Sequence, residues 1–121
     1  MAERTPTVIQ PGSLGGLEHS VLMTWTGLLN GDTGAPLTFH DYPDRTFQVT
    51  GTFGTGGSVN LEGSNDGTNW AILTDPQGNA ITKTAAGMEA VTETPRYMRP
   101  NVTAGDGTTD LTVTVFARSP R

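Results

Sequence analysis

Arg45-Thr46-Phe47-Gln48-Val49-Thr50-Gly51-Thr52-Phe53 alternates with a period of two. Phe47, Val49, Gly51 and Phe53 fall on one face, with Thr46, Gln48, Thr50 and Thr52 on the other, which is the pattern of a half-buried strand. Branched and aromatic side chains suit a pleated surface, so composition and period agree. Gly54-Thr55-Gly56-Gly57 then reverses direction. Val59, Leu61 and Gly63 alternate with Ser58, Asn60 and Glu62, and the two runs are expected to form a hairpin.

The same reading extends in both directions. Val21, Met23 and Trp25 alternate with Leu22, Thr24 and Thr26, predicting a strand over 20–29 that ends in the turn cluster 30–34. Asp66-Gly67 marks a tight turn before a short strand at 70–73, and residues 75–79 mark another before a short strand at 80–84. Residues 85–90 have the length of one helical turn, but Gly87 and brevity favour a connection. Val91, Tyr97 and Val102 anchor a strand region broken by Pro95 and Pro100, which implies an edge or bends at strand ends. Leu111, Val113, Val115 and Ala117 alternate in the last strand. Seven or eight short strands with regular turn signals predict an all-β fold, a single β-sandwich with jelly-roll or Greek-key connections.

Residues 1–19 read as an extended N-terminal arm and 20–121 as the sandwich domain. Two prolines and several glycines punctuate the arm too often for a long regular element. A short edge strand at 7–9 is the plain reading. The apolar Val8, Ile9, Leu14 and Leu17 also suit an arm lying on a neighbouring subunit.

Composition narrows the function classes. The 121 residues carry 7 Lys and Arg against 12 Asp and Glu, a net charge of −5, so nucleic acid is not an expected partner. Cysteine is absent, which removes disulfides, thiolate metal sites and thiol nucleophiles. No apolar run reaches the length of a membrane helix or signal-peptide core, so neither membrane insertion nor export by the general route is expected.

No constellation points to catalysis. His19 and His40 lack metal-ligand spacing, and no serine sits in a nucleophile elbow. Two loops, Asn65 to Asn69 and Asp106 to Asp110, have oxygen ligands that calcium would accept, but ordinary turn chemistry accounts for their residues. No cofactor is expected. Trp25 and Trp70 lie on predicted strands and are expected in the core, although Trp25, Trp70, Tyr42 and Tyr97 also suit a sugar-stacking platform. Arg96 and Arg99 flank an aromatic on the Pro-broken strand, where they would face a carboxylate-bearing partner or guard a sheet edge.

Two resemblances add to this reading. Leu61-Glu62-Gly63-Ser64-Asn65-Asp66-Gly67-Thr68-Asn69-Trp70 resembles the hairpin of discoidin-type galactose-binding-like jelly rolls, and Arg96-Tyr97-Met98-Arg99 resembles their later strand. Over most of its length the chain resembles tailed-phage capsid cement (head decoration) proteins, in the runs 25–36, 74–80 and 101–113. That resemblance implies a non-enzymatic virion protein made in the host cytoplasm. It would bind the outer surface of the head lattice, with the major capsid protein and itself, as a homotrimer, for partners. The contact residues would be Val8, Ile9, Leu14, Leu17, Arg96 and Arg99, the arm adding strands and many weak copies gaining avidity. The alternatives are a carbohydrate-binding adhesion module taking surface glycans, or another virion component such as a tail or head–tail connector protein.

Overall fold

The computed structural model describes residues 2–9, 20–38 and 42–119. The fold is a two-sheet β-sandwich, and no helix occurs among the described residues. The strands are β1 (Glu3–Arg4), β2 (Thr7–Ile9), β3 (Ser20–Leu28), β4 (Thr33–Gly34), β5 (Asp44–Thr52), β6 (Ser58–Ser64), β7 (Ala71–Ile72), β8 (Thr82–Lys83), β9 (Gly87–Val91), β10 (Tyr97–Ala104) and β11 (Asp110–Arg118). Sheet A has the order β1-β4-β10-β6-β7, with β8 also on β6. Sheet B has the order β2-β3-β11-β5-β9. The predicted sandwich is thus the observed one.

The alternating runs behave as their period dictates. Phe47, Val49, Val59, Leu61, Val113 and Val115 are all fully buried between the sheets, as is Trp25, whose Nε1 donates to Ala35 O at 3.1 Å. Each such apolar side chain contributes about 1.5–3 kcal/mol on burial.

One pairing expectation is corrected. The runs 45–53 and 58–63 are not a hairpin: β5 pairs with β11 and β9 in sheet B, whereas β6 pairs with β10, β7 and β8 in sheet A. Residues 53–57 carry the chain from one sheet to the other. Alternation shows that each strand has a buried face, and two strands facing each other across a core show it as clearly as two side by side. The segment 85–90 is also corrected, since Gly87–Val91 is an edge strand paired with β5. Its solvent-facing Met88 and Ala90 hide the period, because apolar residues stand on both faces.

Pro100 lies inside sheet A, and the register explains why it is tolerated. Met98 and Val102 give their N–H groups to Leu37 O and Asp32 O on the β4 side of the strand. A residue midway between them has its amide on that same side. There β4 pairs with β10 only at Asn101 and Thr33, so a proline forfeits no ladder bond.

The N-terminus joins both sheets. β1 runs parallel to β4, and β2 is antiparallel to β3, so residues 2–9 close the same side of the sandwich in each layer. Asp32 fastens them. Its Oδ1 accepts from Ala2 N at 2.9 Å, and its Oδ2 accepts from Leu29 N at 2.9 Å and Arg4 Nε at 2.8 Å.

Candidate functional site

The outer face of sheet A is built from residues that alternate with the core. On β6 the inward Val59, Leu61 and Gly63 leave Asn60, Glu62 and Ser64 facing out, and on β10 the inward Met98, Pro100 and Val102 leave Tyr97, Arg99 and Asn101 facing out. Register then sets Ser64 beside Tyr97, Glu62 beside Arg99 and Asn60 beside Asn101. Glu62 Oε1 accepts from Arg99 Nε at 3.1 Å, and Oε2 accepts from Asn101 Nδ2 at 2.9 Å. Asn60 Oδ1 accepts from Thr82 Oγ1 at 2.8 Å.

The Arg99 guanidinium lies over the Trp70 ring, 4.0 Å from its centroid. One arginine is therefore held by a carboxylate and by an aromatic face, the two surfaces its planar head fits best. Arg99 and Glu62 side chains are 21% and 11% exposed, and although they lie on an outer face, Asn60, Glu62 and Ser64 are buried beneath their neighbours. Trp70 is accordingly not a core residue as expected. It is half-buried on this outer face just before β7, next to Ile72, which is 42% exposed.

The predicted contact residues do not form one patch. Arg96 is exposed before β10, its guanidinium 5.2 Å from the Tyr97 centroid and its amide bonded to Asn65 Oδ1. Val8 packs against the core, and Ile9 sits outward in sheet B beside Leu22, which is itself paired with Phe116. Leu14 and Leu17 lie outside the described residues, as do His19 and His40. Glu62, Asn101 and Trp70 were missed as partners of Arg99. Their outward facing was readable from the alternation, but the register that joins them was not.

In the two loops considered for calcium, Asp66 is spent on its own turn, and Asp106 on its own turn and on the 53–57 crossing. Asp66 Oδ1 accepts from the amides of Asn69 and Thr68 and from Ser64 Oγ, and Oδ2 accepts from Asn69 Nδ2. These bonds, led by those from Asn69, hold the Asp66 carboxyl well below the usual range. Asp106 is lowered to about 2, first by the Thr108 hydroxyl and then by the amides of Thr55 and Thr108. Among the described residues, no three of His, Cys, Asp and Glu come together in a group that could hold a metal ion.

A cleft of about 360 Å³ opens where the β9–β10 connection crosses between the sheets beside the ends of β6 and β7. Gly63, Ser64, Asn65, Asn69, Ala71, Leu73 and residues 93–95 line it. Gly63 is required there, because a Cβ would stand 2.5 Å from Pro95 Cγ and 2.7 Å from Leu73 Cδ2. Glu93 Oε1 accepts from Thr74 N at 2.8 Å, and Oε2 accepts from the Thr74 hydroxyl. Burial opposes its charge, but the Thr74 hydroxyl and amide outweigh that, and the carboxyl is held below its ordinary value.

No family model matches the sequence, and no curated protein matches it. Solved structures do. The SPBc2 prophage-derived protein YomS superposes with a TM-score of 0.63 at 12% identity, over 83% of this chain and 95% of that one. The fold is a cupin-like jelly roll.

Peruvianin-I, a cysteine peptidase from Thevetia peruviana latex, gives 0.52 at 16% identity, and a recombinant oxalate oxidase in complex with glycolate gives 0.50 at 15%. Each match covers 96% of this chain, but the chain spans only 61% and 52% of those two proteins. At such identities the likeness is one of fold. It corrects both resemblances drawn from sequence: the chain matches cupin-like jelly rolls, not capsid cement proteins or discoidin-type domains. The run from Leu61 to Trp70 that suggested the latter is a β6–β7 turn closed by Asp66, and such turn chemistry recurs wherever two strands meet tightly.

Proposed function

We propose that this protein is a non-catalytic binding and assembly component of a virus particle, and that it makes contact through the outer face of sheet A. The observation that carries the reading is the array of Trp70, Arg99, Glu62 and Asn101. Arginine and tryptophan supply much of the binding energy in protein interfaces. Here they are already fixed, the arginine between a carboxylate and a ring, so little side-chain freedom remains to be lost on contact. Binding also suits the interior, where the inward side chains of both sheets are mostly apolar, the buried Arg45 on β5 being a charged exception. The virus-particle part of the reading is supported by the likeness to a prophage-derived protein of almost the same extent.

The test uses particles of the virus that carries the gene. Quantitative mass spectrometry of gradient-purified particles should find the protein in a fixed number of copies, along with the major structural proteins. The double substitution Trp70→Ala with Arg99→Ala should leave a cooperative thermal transition, yet cut incorporation by about tenfold or more, since each removes a side chain of the type that costs about 2 kcal/mol or more at interface centres. Absence from particles overturns the function. Unchanged incorporation of the folded double variant overturns the choice of face.

A further inference from the structure

The cleft beside Glu93 has a chemistry of its own. Most other carboxylates are already engaged: Asp32 with Arg4, Asp44 with Arg118, Glu62 with Arg99 and Glu89 with Lys83, while Asp66, Asp75 and Asp106 are bonded within their turns. Glu93 accepts from Thr74 and from its own backbone amide, and no Lys or Arg nitrogen of the described residues lies within 4.0 Å of it. A carboxylate has about four acceptor positions, so one stays open after the two Thr74 donors and its own amide are served. Around it the cleft offers further acceptors. Asn69 gives its Nδ2 to Asp66 and retains Oδ1, and Thr94 adds a hydroxyl, while that of Ser64 is engaged with Asp66 and Gly67. Ala71, Leu73 and Pro95 supply an apolar wall against which a methylene stem would pack.

We infer that this cleft is a socket for the side chain of an arginine on a partner protein, with Glu93 as its counter-charge. A guanidinium is a planar fork of donors that matches a carboxylate flanked by amide and hydroxyl acceptors, whereas a lysine brings a single strongly hydrated point charge. The net charge of −5 favours approach of a basic partner surface. The inference goes beyond the proposed role in a virus particle and does not depend on it.

The test is a titration of the isotope-labelled full chain, followed by amide chemical shifts, with three blocked amino acids. These are N-acetyl-arginine amide, the lysine equivalent and the neutral citrulline equivalent, which keeps the shape of arginine without its charge. The arginine probe should shift the amides of residues 63–65, 69, 71, 93 and 94 saturably, with a Kd of about 1–10 mM, as befits one ion pair and a few hydrogen bonds. Citrulline and lysine should each bind about fivefold or more weakly. Glu93→Gln, which keeps an oxygen for Thr74, should abolish the advantage of arginine over citrulline. Asp110→Asn, which removes an exposed carboxylate outside the cleft, should not. Equal binding of arginine and citrulline, equal binding of lysine, an equal effect of Asp110→Asn, or shifts scattered over other acidic turns would each overturn the inference.

Discussion

Replacing Asp32 with alanine tests how the first strand is held. The carboxylate accepts from the amides of Ala2 and Leu29 and from Arg4 Nε, all at 2.8–2.9 Å, and its side chain is 4% exposed. Hydrogen bonds to a charged acceptor each contribute about 1.5–3 kcal/mol net. The three do not simply add. Arg4 is 38% exposed and regains water when its partner goes, and Ala2 does the same once β1 lifts. What remains is the Leu29 amide at the β3–β4 turn and part of the β1–β4 pairing, so the expected loss is about 2–4 kcal/mol. For a chain of this size that lowers the Tm by roughly 3–6 °C per kcal/mol. Hydrogen exchange should accelerate at the Thr33 and Ala35 amides, which donate to Ala2 O and Arg4 O, more than at Val113 in the middle of sheet B.

The pH dependence separates this account from simple loss of packing. Burial opposes ionisation of Asp32, but the Leu29 amide, Arg4 and the Ala2 amide outweigh it, so the carboxyl ionises below the usual aspartate range. A group depressed in the folded state adds stability that is fully present above its unfolded pKa and is lost as pH falls through the folded one. The stability gap between the wild type and Asp32→Ala should therefore be full at pH 7 and narrow below about pH 4. A gap under about 0.5 kcal/mol at pH 7, the size of an ordinary surface change, would refute the reasoning. So would one that stays constant from neutral pH down to about 2, because the charged form would then contribute nothing.

Three further outcomes follow from the packing and the turns. Gly34→Ala sets a Cβ 2.5 Å from both Pro100 Cδ and Trp25 Nε1, so overpacking should cost about 1–3 kcal/mol in a urea melt and shift the Trp25 emission. Leu61→Ala, at a site with no exposure, should cost about 2–5 kcal/mol in the same assay while leaving the unfolding cooperative. Asp106, lowered to about 2, gives stability that is present above about pH 4 and lost as pH falls toward 2, so Asp106→Asn should be the flatter of the two proteins in an acid titration followed by fluorescence.

Strand faces were legible in the sequence, and their partners were not. The alternation at Phe47, Val49, Val59 and Leu61 identified which residues go inward, because a period of two is a local property of an extended chain. It placed β5 and β6 in one hairpin, although they stand in opposite sheets, because a short glycine-rich turn serves a hairpin and a crossing equally well. Trp70 was misplaced for a related reason. It follows a five-residue turn and precedes a two-residue strand, too short for its facing to be read. The arginine pair at 96 and 99 was visible as a motif, but Glu62 and Asn101, which hold Arg99, came into view only with the register of β6 against β10. Glu93 carried no signal at all, since its partner Thr74 is remote in sequence and the cleft it lines is made by a connection between sheets.

The two outer faces differ in a way that favours sheet A as the proposed contact surface. Sheet B turns outward Thr24, Thr46, Thr50, Thr112 and Thr114, short hydroxyls that cover the sheet without reaching far from it, interrupted by Ile9, Leu22, Gln48, Met88 and Phe116. A row of threonines satisfies strand propensity and stays soluble, and needs no partner to explain it. Sheet A turns outward residues with the opposite character. Glutamate and asparagine are seldom buried unless paired. Here Glu62 and Asn60 are each 8% exposed, each bonded by a side chain from a neighbouring strand. Holding Glu62, Arg99, Asn101 and Trp70 in one arrangement costs conformational freedom that a merely solvated face would keep. Ordering of that kind is unneeded for solubility and adds little to the apolar core beneath. It fits a surface already shaped for another protein.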